Sequence, residues 1–206
     1  MSFPPKDADT PTHAPGDGPD APGSPWRTLS HREVYRMPWL IVTEYAVIRP
    51  DGKRGLYAVA DPGANVTIVA LENDEFVWLI REFSYPLQRA RWILPAGRVE
   101  QGEDPLAAAQ RELAEEVGLH ADTWQLLGTS PLSGGFSTQI SHAYLARHLS
   151  HGPAAPEGTE AIEPRCIPLR EAYAACLDGS ISDAAVVLAI WRAWALLHGD
   201  ENPSLW

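Results

Sequence analysis

At 206 residues the chain suits one domain, with enough length to bury a real core. It carries 27 acidic residues against 16 lysines and arginines, a net charge of −11, which excludes non-specific binding to nucleic-acid backbone and means that a polyanionic ligand must be received through a metal ion or local arginines. The two cysteines, Cys166 and Cys176, form no disulfide framework and lack zinc-type spacing, and no stretch approaches the roughly 18 apolar residues of a membrane span or reads as an export signal; a reducing cytoplasm is the expected setting.

Residues 1–25 hold seven prolines and almost no large hydrophobes, so they cannot bury enough surface to offset chain entropy and are expected to be a disordered tail. From Trp26 the composition turns globular. Trp39 to Ile48 and Gly55 to Ala60 read as strands joined by the turn signal Pro50-Asp51-Gly52, and Asn65 to Leu71 with Phe76 to Phe83 form a second such pair. Arg91 to Leu94 is a short strand running into Pro95-Ala96-Gly97. A helix follows, capped at its start by Asp104 with Pro105 in the first position and ended by Gly118. Thr123 to Thr129 and Gln139 to Arg147 are strand-like around a loop at Gly134-Gly135-Phe136-Ser137. Residues 148–164 read as a loop, Arg165 to Pro168 as a last strand, Leu169 to Leu177 as a helix. A final helix begins at an N-cap, Ser182 or Asp183, and runs to His198; its apolar residues cover most of its circumference, which predicts deep burial or a subunit contact.

On the central helix, stepping about 100° per residue puts Leu106, Ala109, Gln110, Leu113 and Val117 on one stripe, the predicted core face. Glu112 and Glu116 fall at roughly 240° and 280° from Leu106, with Glu115 near 180° and Arg111 near 140°. The carboxylates therefore line one flank, where the like-charged pair Glu112 and Glu116 costs a few tenths of a kcal/mol, to order of magnitude, that Arg111 only partly offsets. Hard oxygen ligands gathered this way suit Mg²⁺ or Mn²⁺. Taken alone, the three glutamates read first as a solvated acidic face.

The wider pattern is more specific. Gly97, Glu103, Arg111-Glu112-Leu113, Glu115-Glu116 and Gly118-Leu119 fill nine fixed positions in 23 residues. This arrangement resembles the box of the Nudix hydrolases. The order of elements, strands on both sides of one helix and more helix at the end, gives an α+β domain with a mixed sheet; the resemblance implies the Nudix α/β/α sandwich with an antiparallel β extension before it. The expected organisation is a tail at 1–25, an N-terminal β region at 26–64 engaged in dimerisation, the hydrolase domain at 65–200 and a short tail at 201–206. The resemblance further implies that the carbonyl of Ala96, with Glu112 and Glu116, holds Mg²⁺ or Mn²⁺, that Glu115 joins through another ion or water, and that Glu103 pairs with Arg111 to order the loop between Gly97 and the helix.

Outside the box, Pro50-Asp51-Gly52-Lys53, Leu94-Pro95-Ala96-Gly97, Ser130-Pro131 to Ser137 and Ala143 to Arg147 resemble the ADP-ribose pyrophosphatase branch, which cleaves ADP-ribose and related nucleoside diphosphate sugars to a nucleoside monophosphate and a sugar phosphate. That branch implies a general base in the loop after the last long strand, best matched by Glu160, with Glu157 and Glu163 as alternatives. It also implies stacking of adenine on Trp39 and Tyr57 in a homodimer. Three positions depart from it: Ser84, Ile93 and Pro62 stand where the branch usually has arginine, glutamate and arginine. Arg81 and Arg98 are the arginines expected to face the nucleotide, with Arg89 and Arg91 as alternatives. Rival readings are a hydrolase of another sugar nucleotide or a nucleoside triphosphate, and a sensor module that binds a nucleotide without cleaving it.

Overall fold

The structure, a computed structural model, describes residues 20–154 and 162–199. In chain order its elements are β1 (Arg27–Met37), β2 (Leu40–Ile48), β3 (Arg54–Asp61), β4 (Asn65–Glu72), β5 (Phe76–Ser84), β6 (Arg89–Ile93), β7 (Ala96–Arg98), α1 (Pro105–Val117), β8 (Leu119–Pro131), β9 (Ile140–His151), β10 (Glu163–Pro168), α2 (Leu169–Leu177) and α3 (Ala184–His198). They fall into two compact units, one from residues 20–64 with Pro131–Ile140 and the other from the remainder.

The first unit is an antiparallel sheet in the order β1-β2-β3. The turn between β2 and β3 is the one the Pro-Asp-Gly signal predicts: Gly52 adopts φ 79° and donates to the Arg49 carbonyl, while Asp51 accepts from the Lys53 N–H. β1 is an addition to the predicted elements. Its side chains are exposed almost throughout, so no buried alternation writes it into the sequence; what makes it a strand is backbone pairing with β2, from Arg27 opposite Ile48 to Met37 opposite Leu40, interrupted by two register shifts. Order also begins before Trp26, because Asp20 accepts from both the Thr28 N–H and the Thr28 hydroxyl, at 2.9 and 2.7 Å, and holds residues 20–25 back against the strand. Residues 1–19 and 200–206 of the expected tails lie outside the described residues.

The second unit is a mixed sheet in the order β10-β5-β4-β9-β8, with β6 added to β5 and β7 to β4. β4 is its centre, parallel to β9 and antiparallel to β5 and β7. α1 covers one face, packing Ala108, Ala109 and Leu113 on Val66, Ile68, Ala70 and Ala146. α2 and α3 cover the other, where Leu169, Ala172, Val186, Ala189, Ile190 and Ala193 meet Val69, Leu71, Val77 and Leu145. This is the expected α/β/α sandwich.

Two helix faces differ from the sequence reading. On α3, capped by Asp183, the buried residues form one stripe of Val186, Ala189, Ile190 and Ala193, while Leu196 stays about half exposed, so the burial is narrower than its composition suggests. On α1 the buried residues are Ala108, Ala109, Leu113 and Glu116, whereas Gln110 is exposed and Leu106 only half-buried. The core face is therefore turned by about a quarter of the circumference toward the carboxylates. A hydrophobic wheel weights alanine and glutamine too evenly to find this; the small Ala108 and Ala109 let the helix approach the sheet closely on that side.

Candidate active site

The short strand β7 brings the candidate residues together. It pairs with the start of β4, Asn65 opposite Arg98, Val66 opposite Gly97 and Thr67 opposite Ala96, and so lies under α1. α1 is well fixed at both ends: the Asp104 side chain accepts from the Leu106 and Ala107 N–H groups, and Gly118 takes the left-handed conformation at φ 68° and donates to the Ala114 carbonyl. With the helix so placed, its carboxylates are aimed at the β7 backbone.

Glu116 is 6% exposed, and its Oε2 accepts the Ala96 N–H at 2.9 Å. Glu112 lies directly over Gly97: a Cβ built on that glycine would fall inside the Glu112 carboxyl group. Gly97 is therefore required by the close approach of a side chain from the helix.

Arg111 ties the remaining acids in. Its Nε and Nη2 grip both oxygens of Glu103 at 3.1 and 3.2 Å, Nη2 also donates to the Arg98 carbonyl at 3.1 Å, and Nη1 donates to Glu112 Oε1 at 2.8 Å and Glu115 Oε2 at 3.1 Å. Glu103 Oε2 accepts the Glu100 N–H as well, at 2.9 Å. The Arg111 guanidinium, with the Glu100 N–H second, holds the Glu103 carboxyl below the usual glutamate range, and the arginine's own pKa is pushed further up by Glu103. Glu103 is thus paired with Arg111 across the loop, as the resemblance implies.

Ionised, four carboxylates (Glu103, Glu112, Glu115, Glu116) against one guanidinium leave three net negative charges. An all-oxygen set with this excess charge, partly buried against backbone, fits a hard divalent cation of the Mg²⁺ or Mn²⁺ kind. Glu112, Glu115 and Glu116 are the carboxylates available to it, although as placed no three acidic, His or Cys side chains among the described residues are close enough to hold an ion together.

The end of β9 is also drawn to this helix. The Gly152 N–H donates to the Gly118 carbonyl at 2.7 Å, and a Cβ on Gly118 would come within 2.5 Å of the Gly152 carbonyl oxygen and 2.7 Å of the Ala154 nitrogen. Gly118 thus serves both the helix cap and this crossing. Gly152 was not singled out by the sequence, where a Gly-Pro pair reads only as loop. Glu160 and Glu157, expected in the segment that follows, lie outside the described residues; Glu163 opens β10 opposite Arg81.

The other expected residues are distributed as follows. Arg98 contributes its carbonyl to Arg111 while its side chain is exposed. Arg81 is an exposed β5 residue 3.3 Å from Glu163. Arg91 pairs at 2.8 Å with Asp183, the cap of α3, and Arg89 sits across the hairpin from Ser84. Ser84 and Ile93 are both buried, Ile93 in the apolar core. In the first unit, Trp39 follows the end of β1 and is 53% exposed, whereas Tyr57 is half-buried, edge-on to Trp26 at 5.5 Å with its hydroxyl donating to the Gly135 carbonyl.

Comparison with known proteins agrees with this architecture. The chain is 32% identical over 181 residues to an ADP-ribose pyrophosphatase of Mycobacterium tuberculosis, covering 86% of this chain and 87% of that one. It is 33% identical over 181 residues to the CMP-5'-(N-acetyl-N-hydroxy-3-aminopropyl)phosphonate hydrolase of Streptomyces rubellomurinus, with 86% of each chain covered. A solved structure described as an ADP compounds hydrolase shares the fold at a TM-score of 0.75 and 23% identity, over 84% of this chain and 96% of its own. Residues 26–60 match the nucleoside diphosphate sugar hydrolase N-terminal domain. Residues 61–189, more than half of the sequence, match the NUDIX domain, and the chain is a Nudix hydrolase.

Proposed function

We propose that this Nudix hydrolase is a metal-dependent pyrophosphohydrolase of nucleoside diphosphate sugars, with ADP-ribose, cleaved to AMP and ribose 5-phosphate, as its first substrate to test. The observation that carries the chemistry is the seating of two helix carboxylates on the β7 backbone, Glu112 on Gly97 and Glu116 on the Ala96 N–H. The N-terminal domain match and the Mycobacterium tuberculosis relative support the substrate class.

Glu112 and Glu116, with the Ala96 carbonyl and Glu115, would hold Mg²⁺ or Mn²⁺. Such an ion, when bound, neutralises the diphosphate and makes a bound water more acidic. The chain's own part is to keep these oxygens in place: Arg111 and Glu103 brace the loop from Gly97 to Asp104, and the Gly118 cap ends the helix two residues after Glu116. Hydrolysis adds water across the anhydride, so that a P–O bond forms to the water oxygen while the bridging oxygen leaves on the other phosphate. Glu160 is proposed to take the water's proton.

Trp39 and Tyr57 are proposed to stack the base in a homodimer, and Arg81 and Arg98 to receive the phosphates. The proposed setting is the cytoplasm. No helix among the described residues is long and apolar enough to cross a membrane, and Cys166 and Cys176 are both free.

Product analysis of ADP-ribose, other nucleotide sugars and nucleoside triphosphates, with and without Mg²⁺ or Mn²⁺, tests the reading. Metal-dependent release of AMP and ribose 5-phosphate, preferred over the rest, supports it; no monophosphate from any substrate overturns it. Hydrolysis of a different conjugate would keep the chemistry and move the substrate, a reading favoured by Ser84 and Ile93 in the sheet and by the CMP-conjugate hydrolase relative.

A further inference from the structure

Arg111 does two different things with its two edges. The Nε and Nη2 edge is directed away from the helix flank, onto Glu103 and the Arg98 carbonyl, where it fastens the loop of residues 98–103. Nη1 is the part that reaches the other two acids, bridging Glu112 Oε1 and Glu115 Oε2. Among the described residues no three Asp, Glu, His or Cys side chains are gathered closely enough to hold an ion together. The cationic group shared by Glu112 and Glu115 is the guanidinium.

We infer that Arg111 is a resident cation of the site, its Nη1 taking in the metal-free protein the charge-balancing place at Glu112 and Glu115 that a divalent ion takes over. On this view the Glu103 edge is permanent and the Nη1 contacts are exchangeable. The inference rests on the proposed metal-binding role of those glutamates. It adds that Arg111 is a positioning residue with opposite effects on two states: it keeps the carboxylates compatible before metal arrives, and it weakens metal binding, because Glu112 and Glu115 must loosen one hydrogen-bonded partner to take another.

The chemistry supports such a division. Arginine stays protonated at all working pH values, so the counter-charge is always present, and its planar fork lets one edge remain fixed while the third nitrogen is released. Side-chain exposure of 29% for Arg111 and 37% for Glu115 leaves room for release at Glu115, while Glu112 at 14% is as enclosed as Glu103 at 18%, so the division rests on the two edges of the guanidinium and not on burial.

The test compares full-length wild type with Arg111→Gln by Mn²⁺ titration, read by electron paramagnetic resonance of free Mn²⁺, and by melting temperature with and without Mg²⁺. Arg111→Gln should melt lower than wild type without metal, show a larger Mg²⁺-induced rise in melting temperature, and bind Mn²⁺ at least about fivefold tighter, since a positive charge beside the ligands is gone. Mn²⁺ affinity equal to or weaker than wild type in the folded variant would mean that Arg111 only scaffolds the loop, and would overturn the inference. If wild type binds no Mn²⁺, the metal reading fails first and this one with it. Should the variant not fold, nitrogen-15 spectra of the wild-type guanidinium decide the matter: Mg²⁺ should shift the Arg111 Nη1 signals and leave Nε–H bonded to Glu103, and unchanged Nη1 signals at saturation overturn the exchange.

Discussion

The carboxylate of Glu116, almost fully buried, accepts the backbone N–H of Ala96 at 2.9 Å. The bond ties the last turn of α1 to β7 and gives a buried charged group a backbone partner. It also separates two functions that a substitution can dissect. Glu116→Gln keeps an oxygen acceptor for Ala96 but removes the charge, so the protein should fold with little change in melting temperature while kcat falls by roughly a hundredfold or more. Glu116→Leu leaves the Ala96 N–H without a partner and should in addition cost about 1–3 kcal/mol of stability. Parallel denaturation curves and turnover measurements on the two variants check the separation; full activity in Glu116→Gln would remove this residue from the site.

Gly97 carries the complementary prediction. A methyl group there would occupy the space of the Glu112 carboxylate, so Gly97→Ala must push Glu112 or β7 aside. The expected cost is about 1–3 kcal/mol from overpacking, together with a loss of activity comparable to that of Glu112→Gln, about a hundredfold. Combining the two changes tests whether they act through one group: if they do, the double variant is hardly worse than either single one.

How much of this could be read from residues depends on whether a position signals its own environment. The caps Asp104 and Gly118, the Pro-Asp-Gly turn and the apolar runs of β4 and β5 each announce themselves through backbone chemistry, and the structure has them in place. The pair of Glu103 and Arg111 was legible only through the resemblance to the Nudix box, since nothing in the eight-residue spacing itself announces it. β1 could not be read, because an exposed edge strand has no burial pattern and owes its form to β2. The rotation of α1 toward Glu112 and Glu116 was hidden for a related reason: a hydrophobic wheel ranks residues by polarity, whereas here a glutamate is buried and Gln110 faces out. The approach of Gly152 to Gly118 joins residues far apart in sequence, and only the path of β9 brings them together.

That approach makes Gly118 more demanding than an ordinary helix cap. Gly118→Ala meets two penalties, a left-handed backbone at φ 68° and a Cβ within 2.5 Å of the Gly152 carbonyl oxygen. The first costs about 1 kcal/mol in most caps; the second raises the expected loss to about 2–4 kcal/mol, because backbone must move. Gly152→Ala should be milder, its Cβ meeting the His120 ring at 3.2 Å, a side chain that can shift. Chemical denaturation of both variants checks the order, and equal losses would count against the crossing as the cause.

The Glu103–Arg111 pair sets a pH dependence with a definite sign. The Glu103 carboxyl is held below its ordinary value, first by the Arg111 guanidinium and then by the Glu100 N–H, so the folded protein binds this proton less readily than the unfolded chain does. Its contribution to stability is therefore complete above the unfolded glutamate pKa of about 4.3 and is lost as pH falls through the lower folded value. Glu103→Gln should be less stable than wild type at pH 7, with the difference narrowing below about pH 4 and closing once Glu103 is protonated in both states of the wild-type protein. Urea denaturation of the two proteins from pH 7 down to about pH 3 checks this, provided the metal-free forms are compared throughout. A gap that stays constant across that range would place the effect of the substitution in packing or in the neutral hydrogen bonds, and would remove the ion pair from the account of how this loop is held.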